Sequence, residues 1–289
     1  VAAPLARAAT AQTAGSPLAY LLSAQNQDGG FGSTPGQPST PLYSAWAALA
    51  LAAAGRNPAA VSHGGATVVA YMEATIGSDP GSLERAILVA HAAGVPPTDF
   101  GGHDLLAALR RDIRRDGSVA DEGDLTMFGV LALRAAGISP PAKMLQWLVR
   151  QQNSDGGFSY KTKGVLADVD DTGAALEALA GTAPATRRRA VAYIRAAQNR
   201  DGGFPNEPGG DSNAQSTSWA VQGLVADRVN PARVTTHRSP SPLGYLRALI
   251  TRSGAIDYAR HMSLTPVWVT AEAIPALDGK PFPLHPLTP

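Results

Sequence analysis

Apolar positions along the chain fall into helical stretches of two kinds, and the two kinds alternate. One is amphipathic, with apolar residues three or four apart and Arg, Lys or Gln between them. "KMLQWLVRQQ" (Lys143 to Gln152) and "RAVAYIRAAQ" (Arg189 to Gln198) are examples. The other is Ala-rich and almost without charge, as in "YSAWAALALAAAG" (Tyr43 to Gly55), "TMFGVLALRAAG" (Thr126 to Gly137) and "TSWAVQGLVA" (Thr217 to Ala226). The first pattern suits the outside of an assembly, and the small side chains of the second suit a crowded inner layer. The Ala-rich stretches mostly stop at Gly, the residue that takes the left-handed conformation at a helix end.

A turn signature joins the two kinds. It reads "QNQDGGFG" at Gln25 to Gly32, "QNSDGGFS" at Gln152 to Ser159 and "QNRDGGFP" at Gln198 to Pro205. Degenerate forms stand at Arg114 to Val119 ("RRDGSV") and Thr251 to Ile256 ("TRSGAI"). Each unit is therefore helix, turn, helix, and self-similarity of this kind decides the architecture. Aligning the second helices on a small hydroxyl gives the column Ser44, Leu83, Thr126, Thr172, Thr217, Thr265, with steps of 39 to 48 residues. The repeat fills the chain apart from its two ends.

Six helical hairpins stack either as an open superhelix or as a closed ring. Open solenoids need end units with a polar outer face. Here the first and last hairpins are as rich in Ala and Leu as the middle ones, which favours closure. The expected fold is all-α, an (α/α)6 toroid, with one toroid domain over residues 15–277. A flexible segment is expected before it (1–14). A Pro-rich tail follows (278–289), whose "GKPFPLHPLTP" reads as a tail or the start of a linker. Parallel inner helices bring six N-termini to one rim, which concentrates partial positive charge there.

Composition narrows the function. The 289 residues carry a net charge of +1, which lacks the basic excess expected of a nucleic-acid partner. The clusters Arg110 to Arg115 and Arg187 to Arg189 read as solvated helix faces. With no cysteine, disulfides, thiolate metal sites and cysteine nucleophiles are excluded. No apolar run is long enough to span a bilayer. The Ala-rich start lacks the apolar core of an intact signal peptide and reads as what remains after one is removed, so the compartment stays open, export included. The six histidines are scattered, and none completes a Ser-His-Asp order; no calcium loop and no phosphate loop is present.

The Q-x-x-D-G-G-F signature at this period resembles the squalene-hopene cyclase and protein prenyltransferase β-subunit superfamily over nearly the whole chain. The resemblance implies that Gln25, Phe31, Gln152, Phe158, Gln198 and Phe204 tie neighbouring hairpins together. Prenyltransferases of that superfamily hold zinc with Asp, Cys and His, and the missing Cys argues against their activity. "DVDDT" (Asp168 to Thr172) resembles the D-x-D-D motif of class II terpene cyclases, in which the middle Asp protonates an alkene or epoxide. The resemblance therefore nominates Asp170 as the acid, with Asp168 and Asp171 as its neighbours. It implies no cofactor, although magnesium would accompany a diphosphate substrate, and it nominates no metal ligand in the chain.

The residues themselves leave two readings of that motif. Three close carboxylates hold one proton to higher pH, which makes a general acid. Asp, Asn, Ser and Thr at a helix start are also ordinary caps. Four positions before the hydroxyl column stand Thr40, Asp79, Glu122, Asp168, Asn213 and His261, and every one is polar. Glu122 and Asp124 align with Asp168 and Asp170 and are expected beside them. Trp46, Phe128 and Trp219 share one column with Trp268 just beyond; they either line a cavity and stabilise cations or pack between inner helices.

Two functions follow. The first is a protonation-initiated class II terpene or triterpene cyclase acting on a hydrophobic isoprenoid, with a second helical domain or partner protein over the toroid mouth. The alternative is a non-catalytic, exported toroid that binds a ligand or partner, as the cobalamin carriers do.

Overall fold

The computed structural model describes residues 15–236 and 239–288. The N-terminal segment 1–14 expected to be flexible lies outside them. Among the described residues, twelve α-helices alternate between an inner and an outer layer. The inner helices are α2 (Pro41–Ala53), α4 (Pro80–Ala93), α6 (Gly123–Ala135), α8 (Val169–Ala178), α10 (Ala214–Ala226) and α12 (Pro266–Leu277). The outer helices are α1 (Pro17–Ala24), α3 (Val68–Ala74), α5 (Leu105–Asp112), α7 (Ala142–Gln151), α9 (Pro184–Ala197) and α11 (Pro242–Ala248). Each inner helix packs on the next, and α12 packs on α2, so the ring closes and the expected (α/α)6 toroid is present.

Sequence explains the division of labour. Every residue of α2 from Ser44 to Ala53 is buried, because Ala and Leu face neighbours on both sides, the outer layer and the bore. In α7 only Met144, Trp147 and Leu148 are buried, and the charged face stays in water. The tightest seam lies between α8 and α10. A Cβ on Gly173 would come within 2.4 Å of the Trp219 carbonyl oxygen, so the two backbones touch where a side chain would hold them apart.

The turns are hydrogen-bonded switches of direction. In each complete copy the Asp carboxylate accepts the backbone N–H two residues on, as Asp155 does from Gly157 at 2.9 Å. The Gln amide then reaches both its own turn and the next hairpin. Gln152 donates to the carbonyls of Gly156 and Thr186, and Gln198 to those of Gly202 and Val234. Gln25 does the same with Gly29 and Val61. Phe31, Phe158 and Phe204 are fully buried, and their N–H groups donate to Ser44, Thr172 and Thr217. The superfamily role expected of these six residues is the one they play.

The hydroxyl column needs one correction. In the third and sixth hairpins the equivalent acceptors are Thr126, bonded by Val119 N–H, and Thr270, bonded by Ile256 N–H at 2.8 Å. Thr265, placed in the column by its sequence spacing, is instead the left-handed residue before α12 and makes no cap bond. The loop before α12 is five residues longer than the column assumed. His261 accordingly leaves the rim column and stands exposed in that loop.

The Pro-rich end folds back under the ring. Lys280 donates to the Ala53 carbonyl, Phe282 N–H to the Glu177 carboxyl at 2.9 Å, and Leu287 N–H to the Ala92 carbonyl at 3.0 Å. Phe282 and Leu284 are buried. These residues close the end of the bore where the inner helices terminate.

A candidate active site at the N-terminal rim of the inner ring

With the register set by Ser44, Thr126, Thr172, Thr217 and Thr270, the bore reads as two layers. Two residues before the hydroxyl stand Leu42, Gly81, Asp124, Asp170, Gln215 and Trp268. Two residues after it stand Trp46, Arg85, Phe128, Ala174, Trp219 and Glu272. All twelve line one cavity of about 350 Å³, joined by Glu84, Leu125 and Asp171. The spacing of four between the layers is one helical turn, so each inner helix presents the same stripe to the axis. Because the stripe sits in the first two turns of all six helices, the cavity lies at their N-terminal rim.

The three aspartates divide between the two readings. Asp168 is the N-cap of α8: its Oδ1 accepts the Asp171 N–H at 2.8 Å, and it does not line the cavity. Asp170 and Asp171, two and three residues further on, both face the cavity. Asp170 Oδ1 is shielded from water and has no hydrogen-bond partner. Desolvation pushes the Asp170 carboxyl up to about 6; the Asp168 charge adds to the rise, and the Ser216 and Asn206 side chains hold it back. Asp171 is driven higher still, by burial first and then by the Asp168 charge. Of the two cavity aspartates, Asp170 is thus the stronger acid, and it holds its proton up to about pH 6, above the ordinary carboxylate range.

Of the other expected residues, Asp124 lines the cavity, and burial raises its pKa. Glu122 is the N-cap residue of α6 without a side-chain cap bond, and it stands outside the cavity. Trp46, Phe128 and Trp219 meet edge to face across the bore, with ring centroids 5.7 to 5.9 Å apart. Their rings serve packing and lining at once: they fill the axis between helices and floor the cavity. Trp268 lines the wall and donates its indole N–H to Glu272 at 2.8 Å.

Four polar cavity residues were not expected. Glu272 is buried, bonded by Gln215 and Trp268, and raised to about 8 by desolvation. Glu84 is fully buried with neither oxygen bonded, and burial raises its pKa well above the ordinary value. Arg85, beside Asp79, Glu84 and Asp124, is the one cation lining the cavity among the described residues. Gln215 bridges from α10 to Glu272. The stripe of four would have revealed all but Glu84, once Thr270 replaced Thr265. Among the described residues no group of three or more His, Cys, Asp or Glu side chains is arranged to hold a metal ion.

The model of the prenyltransferase alpha-alpha toroid domain matches residues 5–82 and 120–239, more than half of the chain. The chain belongs to this prenyltransferase toroid family. Within the curated proteins, the toroid is 35% identical over 154 residues to drimenyl diphosphate synthase of Streptantibioticus cattleyicolor, a match covering 45% of this chain and 28% of that enzyme. The chain spans less than a third of the length of the curated relatives it matches. Among solved structures, the toroid superposes on the type II terpene cyclase MstE from Scytonema with a TM-score of 0.64 and 17% identity, covering 91% of this chain and 95% of that one. On ent-copalyl diphosphate synthase from Streptomyces platensis the TM-score is 0.54 at 18% identity, covering 84% of this chain and 51% of that one. At these identities the solved neighbours establish the shared fold of the toroid family. The chemistry has to come from the cavity itself.

Proposed function

We propose that this toroid is a class II terpene cyclase, or the proton-donating domain of one, in which Asp170 starts ring closure on an isoprenoid. The observation that carries the reading is a single residue: Asp170 lines a cavity floored by three aromatic rings, and its Oδ1 is buried and unpartnered. The curated relatives named drimenyl diphosphate synthase and the type II cyclase neighbour support the same class.

The steps follow from the residues. The Asp170 O–H transfers its proton to one carbon of a substrate alkene, leaving a carboxylate and a tertiary cation. The π electrons of a second alkene attack that cation and close a carbon–carbon bond. The faces of Trp46, Phe128 and Trp219 offer a moving positive charge cation–π stabilisation without a nucleophile to quench it. Loss of a proton from a carbon next to the last cation yields the cyclic alkene. Burial holds Asp171 and Glu272 protonated at neutral pH and pushes the Glu84 carboxyl in the same direction, which limits the fixed negative charge available to trap the cation.

A cavity of about 350 Å³ is near the lower end of the ~300–1,000 Å³ of small-ligand sites and suits a short isoprenoid. A diphosphate headgroup would lie at the mouth, toward the helix N-termini and Arg85, and magnesium would enter only with it. A cover over the mouth belongs to the same proposal. Tyr160, Leu166, Met262 and Leu264 stand exposed in the loops leading into α8 and α12, as they would beneath a second helical domain.

The test is a product screen. Parent and Asp170→Asn proteins are incubated with farnesyl and geranylgeranyl diphosphate, squalene and oxidosqualene, and extracts are read by gas chromatography and mass spectrometry. The expected result is a cyclic product from the parent and none from the variant. Equal product from both proteins removes Asp170 from its role. No product from either, with both folded, favours a toroid that binds without chemistry.

A further inference from the structure

We propose that Phe282, carried by the folded-back end of the chain, sets the longest apolar chain the bore admits. The proposal takes its substrate class from the cyclase reading. The bore is divided in two. Above lies the acid-bearing cavity; below, at the other end of the inner helices, lies a second cavity of about 430 Å³ whose wall includes Ala52, Ala180, Val225 and the residues from Lys280 to His285. Four rings separate them. Trp46, Phe128 and Trp219 close the axis, and Phe282 rises from below against Trp46 and Trp219 with centroids 6.2 and 6.1 Å away.

Phe282 differs from the other three rings in what holds it. They stand on inner helices fixed by packing on every side. Phe282 stands on a segment without helix or strand, anchored by its own N–H to the Glu177 carboxyl and by Lys280 to the end of α2. Phe282 lines the lower cavity and touches two of the rings that floor the upper one. Removing its ring opens space directly beneath the floor. Trp46 and Trp219 can then tilt downward, and a chain too long for the upper cavity gains a path into the lower one. Nine of the twelve residues lining the lower cavity are apolar and accept an alkyl chain, while Arg228, Lys280 and His285 complete its wall. A residue on a tail thus limits chain length without touching the acid.

The experiment uses primary alcohols of increasing length, decanol to eicosanol, titrated by calorimetry into the parent, Phe282→Ala and Phe282→Leu proteins. In the parent, affinity rises roughly fourfold per added methylene until the cavity is full, then stops rising or falls. The expected result is that the break moves to longer alcohols in Phe282→Ala and by a smaller step in Phe282→Leu, which keeps an apolar side chain in place should the Ala variant fail to fold. A break at the same length in all folded proteins overturns the proposal, as does the absence of any break in the parent. The product screen run alongside separates the two claims. A shifted break with no cyclic product from any protein leaves the length limit standing and sinks the cyclase reading. Cyclic product with an unshifted break does the reverse.

Discussion

Glu177 offers a clean test of the energetics beneath the bore. Its carboxyl is fully buried, accepts one hydrogen bond from Phe282 N–H, and has its other oxygen unpartnered. Desolvation raises its pKa from the ordinary 4.5 to about 8, although the Phe282 hydrogen bond works the other way. The folded protein therefore keeps a proton that the unfolded chain releases above 4.5. A raised folded pKa contributes stability that is complete below the unfolded value and is lost as pH climbs through the folded one. Between about pH 5.5 and about pH 7.5 each pH unit removes close to 1.4 kcal/mol, so this one group costs the fold about 2.5 kcal/mol across that window. Glu177→Gln replaces the protonated carboxyl by a neutral amide of the same shape whose carbonyl can still accept from Phe282. Urea unfolding of the two proteins at the two pH values isolates the group, because every other titration cancels in the difference. The expected outcome is that Glu177→Gln loses about 2.5 kcal/mol less than the parent on going from the lower to the higher pH. Parallel pH profiles would refute the reasoning and show Glu177 to be solvated or already ionised.

Three further outcomes follow from the site and the ring. For the cyclase reading, kcat/KM falls about tenfold per pH unit above about 6, where Asp170 loses its proton; a profile flat to about pH 8 in buffer-matched assays contradicts it. Asp168→Ala removes the cap bond to Asp171 N–H and lowers stability by about 1 kcal/mol, whereas Asp168→Asn keeps it, both read by chemical denaturation. Gly173→Ala forces a methyl against the Trp219 carbonyl and costs on the order of 3 kcal/mol, visible as a lowered Tm; an unchanged Tm would mean the α8–α10 seam is looser than its backbone contact implies.

Much of this architecture was legible before any coordinates, and for a physical reason. The DGG turn needs residues that few other sequences supply at that spacing, and its Gln and Phe are fixed by contacts the turn itself creates. The all-round apolar pattern of α2, α6 and α10 has no stable home except between two layers. What resisted reading was register where the signature is degenerate. Before α12 the loop lengthens, and Thr265 imitates a hydroxyl that Thr270 supplies, which conceals that Glu272 stands in the same stripe as Trp46 and Trp219. The role of Asp168 was equally hidden. The DVDDT motif singles out Asp170 but does not tell that Asp168 caps α8 instead of lining the cavity, because the two differ only in which side of one helical turn they face. The Pro-rich end misled because its composition suits a linker, while three apolar side chains, Phe282, Leu284 and Leu287, and a buried carboxyl decide that it packs.

A closed ring of hairpins has no end unit. In an open stack the last repeat peels away by breaking one interface, and unfolding can travel inward from there. Here any hairpin that leaves must break the seam on each side of it at once, including the one between α12 and α2. The cost of the first step is thus roughly doubled while the equilibrium sum over seams is little changed, so closure acts on the unfolding rate more than on the folding free energy. Persistence under proteolysis, and not midpoint stability, is where the circle should declare itself.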